Sequence, residues 1–299
     1  MRLERVGMVG YGEVGKIFTA GLKQQVLSSA AWDIKFDLPA LREAELSHAA
    51  NAGVVACGSM QDLCRQADLV ISAVTASNTL AVAQSAAACM RSGMVFLDLN
   101  SASPGTKQQA GALIDAAGAV YVEAGVMTSV PPYGIRVPML LGGKRAPELA
   151  VLLNSWGMDA RAVSEQLGVA SAIKMCRSVM IKGLEALVIE SYATARAYGV
   201  EEQMIPTLQQ TFPGIDWQQQ GAYFFSRVVQ HGQRRAEEMR EAANTVREAG
   251  FPSALTGAIA DKQQCVADLA RAGVFQGIGD MARWQDYADR LLAARKSGE

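Results

Sequence analysis

Short apolar runs alternate with alanine-rich segments through the first half of the chain. The apolar runs cover residues 5–9, 32–36, 54–56, 68–74, 94–99, 119–123 and 137–141. Segments such as Leu80–Arg91 and Lys107–Ala117 lie between them and suit helices. Apolar strands that alternate with helices predict a mostly parallel, doubly wound α/β sheet that is covered on both faces.

The pattern changes from about Gly168 onward, where alanine, glutamine, glutamate and arginine replace the β-branched runs. Residues 171–198 are typical of one long helix that ends at Gly199. After the break at residues 212–214, the spacing predicts helices at 218–249, 253–272 and 281–295. We therefore expect an α/β domain at residues 1–165 and an all-α domain at 166–299, joined by the long helix.

The first apolar run leads directly into the pattern Gly-x-Gly-x-x-Gly, formed by Gly10, Gly12 and Gly15. In such a turn the first glycine permits a tight bend, the second admits a pyrophosphate, and the third lets helix and strand pack closely. The amides of the following helix then face the phosphates. This pattern predicts a dinucleotide site formed by Gly10, Tyr11, Gly12, Glu13, Val14 and Gly15.

Asp37 follows the second apolar run, at the interval beyond the glycines expected for an acid that binds ribose hydroxyls. An acid there repels a 2′-phosphate, which favours NAD over NADP, unless Lys35 or Arg42 accommodates the phosphate instead. Ligands of such sheets lie beyond the carboxyl ends of the strands. We therefore expect Val74, Thr75 and Asn100 to contact the cofactor as well.

Composition excludes several other classes of function. The 299 residues include 28 basic and 29 acidic side chains, so there is no electrostatic case for binding nucleic acid or a membrane surface. Five scattered cysteines without a Cys-x-x-Cys pair indicate reduced thiols and a cytoplasmic location. Two histidines make a transition-metal site unexpected, and no apolar run is long enough to cross a bilayer.

Two further motifs resemble one family. The first is Asp98-Leu-Asn-Ser-Ala-Ser-Pro104 at the end of a central strand, and the second is Gly168 followed by Ala-Ile-Lys174-Met at the start of the long helix. With the glycine turn, they resemble the β-hydroxyacid dehydrogenases, which include 3-hydroxyisobutyrate and 6-phosphogluconate dehydrogenases. The resemblance implies a Rossmann domain followed by a helical domain, and a homodimer whose partner completes the active site.

The same resemblance implies NAD(P)-dependent hydride transfer between the nicotinamide and a small β-hydroxy acid or its oxo acid. It assigns the catalytic lysine to Lys174, as general base toward a hydroxyl and general acid toward a carbonyl. A lysine works in this role when burial or nearby positive charge lowers its pKa. Ser101 matches the motif that holds the substrate carboxylate, and Thr128 and Ser129 follow the strand where relatives carry Ser-Gly-Gly.

The helical half supplies further candidate substrate contacts. At 100° per residue, Ser178 lies about 40° and Lys182 about 80° around the helix from Lys174, so these three residues and Glu185 can form one polar stripe. The alternative is that the lysines extend to the surface. His231 and Arg235 lie in a second polar cluster. An arginine can bind a carboxylate or phosphate through two hydrogen bonds, whereas ion pairs along a solvated helix are the alternative.

Departures from the family leave the substrate open. Ser178 stands where relatives carry asparagine, and Met127–Ser129 add bulk where relatives have glycine. An imine reductase on the same scaffold is an alternative, although such enzymes usually replace the lysine. A catalytically silent NAD(P)-binding regulator is another. A methyltransferase would leave the helical half unexplained. Whether decarboxylation follows oxidation also stays open.

Overall fold

The computed structural model describes residues 3–279 and 281–296. The chain divides into two compact units, Met1–Cys176 and Arg177–Glu299. No helix among the described residues is long and apolar enough to cross a membrane.

The first unit contains an eight-stranded sheet in the order β3-β2-β1-β4-β5-β6-β7-β8. Its strands are β1 (Arg5–Val9), β2 (Ser28–Trp32), β3 (Val55–Ala56), β4 (Leu69–Ser72), β5 (Val95–Asp98), β6 (Val120–Val126), β7 (Pro138–Gly142) and β8 (Asp159–Ser164). All neighbours are parallel except β6 and β7, which are antiparallel. The reversal of strand order beside β1 creates the crevice in which sheets of this type bind ligands.

Helices cover both faces of this sheet, and each face has its own core. The helices are α1 (Glu13–Leu22), α2 (Pro39–Ala52), α3 (Met60–Gln66), α4 (Thr79–Ala87), α5 (Pro104–Ala116) and α6 (Ala146–Ser155). Phe96 and Leu97 are both fully buried but belong to different cores, because successive side chains point to opposite faces of a strand. Burial on both faces explains why the central strands are mostly apolar.

Two strands differ from the sequence expectation. β2 ends at Trp32, whereas the apolar run predicted a strand at residues 32–36. The Asp33 carboxylate accepts a hydrogen bond from the Lys35 amide at 2.8 Å and begins a short 3-10 turn there, so the chain leaves the sheet. Strand β8 was not predicted at all. It is an edge strand whose exposed Asp159 and Arg161 alternate with alanines, which gives a weak apolar signal.

The second unit is all helical. Its elements are the carboxyl-terminal part of α7 (Val169–Tyr198), followed by α8 (Glu201–Thr211), α9 (Trp217–Glu248), α10 (Ala254–Arg271) and α11 (Trp284–Lys296). An aromatic core holds them together, with Tyr192, Phe225 and Trp284 almost fully buried. Helix α7 ends before Gly199, whose positive φ of 69° suits glycine. Helix α8 was not predicted, and it contains Pro206 in its interior, where proline is unfavourable. The expected class, an α/β unit followed by an all-α region, is confirmed.

Candidate active site

The glycine turn has the geometry of a phosphate-binding turn. Gly10 has a φ of +91°, and a Cβ atom there would lie 2.4 Å from the Ala73 carbonyl oxygen. A Cβ at Gly15 would lie 2.2 Å from the Gly10 carbonyl oxygen, whereas a Cβ at Gly12 would meet nothing within 4 Å. The outer glycines are therefore required by packing, and the middle one leaves space for another molecule. Helix α1 begins directly afterwards at Glu13, so its first amides face that space.

The carboxylate at the end of β2 belongs to Asp33. Its two oxygens accept hydrogen bonds from the backbone amides of Tyr11, at 2.6 Å, and Lys35, at 2.8 Å. Asp37, expected at this strand end, instead lies exposed beyond the 3-10 turn. The strand end expected before Asp37 lies before Asp33 instead: β2 ends four positions before the apolar run does, which puts Asp33 beside the glycine turn.

Asn100 joins the ends of β4 and β5. Its Oδ1 accepts a hydrogen bond from the Val74 amide at 2.7 Å, and its Nδ2 donates to Ser72 Oγ at 2.9 Å. The structure thus brings Val74 and Asn100 together, as expected for neighbouring strand ends. Thr75 lies next to Val74 and accepts a hydrogen bond from Asn78 Nδ2 at 2.7 Å.

A buried charged network supports this strand end. Asp98 is fully buried, and its carboxylate lies 2.9 Å from Lys107 Nζ and accepts a hydrogen bond from the Tyr121 hydroxyl at 2.6 Å. Burial, followed by the charge of Asp98, raises the pKa of Tyr121 well above its ordinary value, so the phenol stays protonated and donates. Sequence reasoning missed Lys107. The available signal was Asp98 itself, since a carboxylate inside an apolar strand requires a buried partner.

Lys174 and Ser101 meet in the first unit. Lys174 Nζ donates a hydrogen bond to Ser101 Oγ at 2.6 Å, and both side chains are half-buried. The two residues are 73 positions apart in sequence. Each belonged to a different predicted motif, and the fold places the two motifs in direct contact.

Glu123 determines where the lysine helix begins. This fully buried carboxylate accepts hydrogen bonds from the amides of Gly168, Ala170 and Ser171, at 2.7, 3.1 and 3.3 Å. A carboxylate at a helix amino terminus both satisfies these amides and complements the helix dipole. Gly125 permits the close approach, because a Cβ there would lie 2.9 Å from the Ala170 carbonyl oxygen. Sequence reasoning did not identify Glu123, although it is an acid inside an apolar strand.

Thr128 and Ser129 lie in the loop that follows β6. Thr128 is exposed and Ser129 is half-buried. The Met127 amide donates to the Pro138 carbonyl oxygen at 2.9 Å, which extends the β6–β7 pairing to the start of this loop.

The candidates in the second unit form buried ion pairs between helices. Lys182 on α7 lies 2.7 Å from Glu238 on α9, and its Nζ also donates to Ser178 Oγ at 3.2 Å. Arg235 on α9 is paired with Glu185 on α7 through its Nε, at 2.9 Å, and through a second guanidinium nitrogen. The ion pairs therefore connect α7 to α9, rather than running along one solvated helix.

His231 precedes this cluster on α9 and is half-buried. Burial lowers its pKa to about 4, with smaller contributions from Arg227, Arg234 and Arg235. The imidazole is therefore neutral near pH 7. It can take part in neutral hydrogen bonds, but it brings no positive charge to an anionic substrate. Within residues 3–279 and 281–296, no group of three or more histidine, cysteine or acidic side chains is arranged to hold a metal ion.

Comparison with known proteins identifies the family. Residues 5–143 match the NAD binding domain of 6-phosphogluconate dehydrogenase, and residues 195–266 match a domain of unknown function, DUF1932. A conserved hypothetical protein from Sinorhizobium meliloti is 38% identical, over 97% of this chain and 96% of its own, with a TM-score of 0.76. The chain belongs to the same family as that protein, and it is a β-hydroxyacid dehydrogenase-like protein with an NAD(P)-binding amino-terminal domain.

Other solved structures are similar over nearly the whole chain. A conserved protein of unknown function, described as structurally similar to 3-hydroxyacid dehydrogenases, is 29% identical over 90% of this chain and 98% of its own, with a TM-score of 0.68. The 3-hydroxyisobutyrate dehydrogenase of Mycobacterium tuberculosis is 16% identical over 98% of this chain and 100% of its own, with a TM-score of 0.65. A reductive aminase from Aspergillus terreus, 18% identical over 98% and 100%, has a TM-score of 0.56. The last two likenesses show the fold alone.

Proposed function

We propose that this protein is an NAD-dependent oxidoreductase that transfers a hydride between the nicotinamide and a small β-hydroxy acid or its oxo acid. The observation that carries the proposal is the 2.6 Å hydrogen bond from Lys174 to Ser101. It joins a candidate proton-transfer group to a candidate carboxylate-binding group, within the unit that contains the NAD(P)-binding domain.

The residues of the glycine turn fit a dinucleotide. In the proposal, the space above Gly12 and the first amides of α1 receive the pyrophosphate, and Asp33 receives the ribose hydroxyls. A carboxylate accepts about four hydrogen bonds, and two amides occupy only part of this capacity in Asp33. Its negative charge disfavours a 2′-phosphate, which supports NAD. Bound NAD supplies the hydride acceptor for oxidation.

Lys174 would move the proton that accompanies the hydride. In the oxidation direction its neutral amine accepts the proton of the substrate hydroxyl, and in the reduction direction its ammonium donates a proton to the carbonyl oxygen. Ser101 accepts a hydrogen bond from Lys174 and keeps its own hydroxyl proton for the substrate carboxylate. Thr128 and Ser129 would complete the carboxylate side of the pocket.

The second unit contributes less direct charge than the sequence suggested. Lys182 and Arg235 are already paired with buried carboxylates, so we assign them to holding α7 against α9. Ser178 and His231 stay proposed substrate contacts through neutral hydrogen bonds. We also propose a homodimer, which multi-angle light scattering of the purified protein would test.

A hydride-transfer screen tests the proposal. The protein would be mixed with NAD or NADP and a panel of hydroxy acids, and the absorbance of the reduced nicotinamide followed. Loss of a proton-transfer group should lower the rate of Lys174→Ala by about a thousandfold. The matched control, Lys144→Ala, removes an exposed lysine of the same unit and should leave the rate unchanged. Equal activity of Lys174→Ala and the unmodified protein would overturn the role of Lys174.

The same screen separates the alternatives. Turnover of cyclic imines with reduced cofactor, but of no hydroxy acid, would indicate an imine reductase. Binding of the cofactor without turnover of any compound would indicate a regulator that senses NAD(P).

A further inference from the structure

Two lysines lie close to one mostly buried carboxylate near the end of β2. Glu45 on α2 lies 2.7 Å from Lys16 Nζ and 3.9 Å from Lys35 Nζ. Its side chain is 14% exposed, whereas those of Lys16 and Lys35 are 29% and 36% exposed. The carboxylate therefore lies beneath both ammonium groups, and its charge is weakly screened by water compared with that of a surface glutamate.

The two lysines adjoin the residues where the ribose would lie, and Glu45 lies against both lysines. The Lys35 amide donates to one oxygen of Asp33, and the Tyr11 amide donates to the other. Lys16 Nζ lies 5.7 Å from the centre of the Tyr11 ring, which is itself fully buried. Burial raises the pKa of Tyr11, and the charge of Glu45 adds to this increase, in agreement with a carboxylate close to the turn.

Two cations at this position would by themselves suit a phosphate. Sites that accept NADP use a basic side chain near the end of β2 to bind the 2′-phosphate, and a lysine can bind phosphate as a point charge. Asp33 contributes one negative charge here, against the two positive charges of the lysines. A further negative group is needed to cancel the lysines.

We propose that Glu45 is a specificity-determining residue, which neutralises Lys16 and Lys35 and thereby makes the site select NAD over NADP. The inference rests on the proposed function, since it concerns the same cofactor site. It assigns the preference to a residue of α2 that need not touch the cofactor, in addition to Asp33 at the strand end.

The test compares dissociation constants of NADH and NADPH, measured by the fluorescence of the bound reduced nicotinamide. The substitution Glu45→Gln keeps the shape of the side chain and releases the two lysines. We expect it to tighten NADPH binding by about fivefold, as one uncompensated charge near a phosphate would, and to change NADH binding by less than about twofold. The matched control, Glu43→Gln, removes an exposed carboxylate of the same helix and should leave the ratio of the two constants unchanged.

A reciprocal variant makes the test independent of how well Glu45→Gln folds. Lys16→Met removes one positive charge beside Glu45 and should weaken the binding of NADPH more than that of NADH. In the double variant Lys16→Met/Glu45→Gln, the ratio of the two dissociation constants should return toward its original value. An unchanged ratio in Glu45→Gln, or an equal shift in Glu43→Gln, would overturn the inference while leaving the proposed function intact. Tighter binding of NADPH than NADH by the unmodified protein would overturn the inference together with the NAD preference of the proposed function, but not its hydride-transfer chemistry. If the folded, unmodified protein binds neither dinucleotide, the proposed function and the inference both fail.

Discussion

Both units contain a buried ion pair between side chains, Asp98 with Lys107 in the sheet unit and Glu185 with Arg235 in the helical unit, but the sheet unit also uses buried carboxylates in a second way. In the sheet unit, the carboxylates of Asp33 and Glu123 are bound to backbone amides, which come from the glycine turn and from the first turn of α7. In the helical unit, the carboxylates of Glu185 and Glu238 are bound to the side chains Arg235 and Lys182. A carboxylate bound to amides determines the path of the main chain, and therefore the place of nearby functional groups. The ion pairs of the helical unit instead determine how α7 and α9 lie against each other.

The largest expected effect comes from breaking a buried pair in the helical unit. Arg235→Ala would leave Glu185, which is 1% exposed, without its main partner. We expect this change to lower the free energy of unfolding by about 3 kcal/mol or more, because an uncompensated buried charge is costly. Urea unfolding followed by circular dichroism would measure it.

The control for this prediction replaces both partners together. The double variant Arg235→Met/Glu185→Leu should recover most of the lost stability, since well-packed apolar residues often replace a buried ion pair at little cost. If Arg235→Ala is as stable as the unmodified protein, the ion pair between Arg235 and Glu185 does not stabilise the packing of α7 against α9.

In the sheet unit, the corresponding change is Glu123→Gln. The amide can still accept hydrogen bonds through one oxygen but loses the negative charge at the start of α7. We expect a loss of about 2 kcal/mol in the free energy of unfolding, because the buried backbone amides at the start of α7 lose their charged acceptor. Since the same helix carries Lys174, kcat should fall as well, with KM changing less.

Glu123→Asp provides the control for a positioning role. It keeps the charge but shortens the side chain, so it should recover stability more fully than it recovers kcat. Equal recovery of both quantities would mean that Glu123 stabilises the unit without positioning Lys174.

Local patterns made most of the fold predictable. The alternation of apolar runs with helical segments, and the glycine turn, are both encoded within short stretches, and the structure agrees with them. Strand β2 was harder, because residues 28–31 are small and form a strand through pairing with β1 on one side and β3 on the other. Because the strand was expected to end at Phe36 and not at Trp32, the carboxylate at its end was expected at Asp37 and not at Asp33.

The candidate site was predictable only in its separate parts. The motifs of Ser101 and Lys174 were visible in sequence, but their contact depends on how α7 is capped by Glu123, 45 residues before Gly168. The pairing of Arg235 with Glu185, 50 residues apart, depends on the packing of α9 against α7. Spacing along one helix cannot determine the register between two helices, so the polar residues of α7 were identified but not their pairing with residues of α9.

The smallest expected effect concerns His231 and the response of the helical unit to acid. Its pKa is lowered from an ordinary value of 6.5 to about 4, mainly by burial. Between these two values the unfolded chain binds a proton that the folded chain does not, so stability is complete above pH 6.5 and falls as the pH approaches 4. Allowing for partial exposure, we expect a loss of about 1 kcal/mol between pH 7 and pH 5 from this group. In His231→Gln, urea unfolding at the two pH values should show a loss smaller by that amount. An equal acid sensitivity of the variant and the unmodified protein would mean that the imidazole is more accessible than the structure indicates. It could then be charged near neutral pH, and the helical unit would offer a cation to an anionic substrate after all.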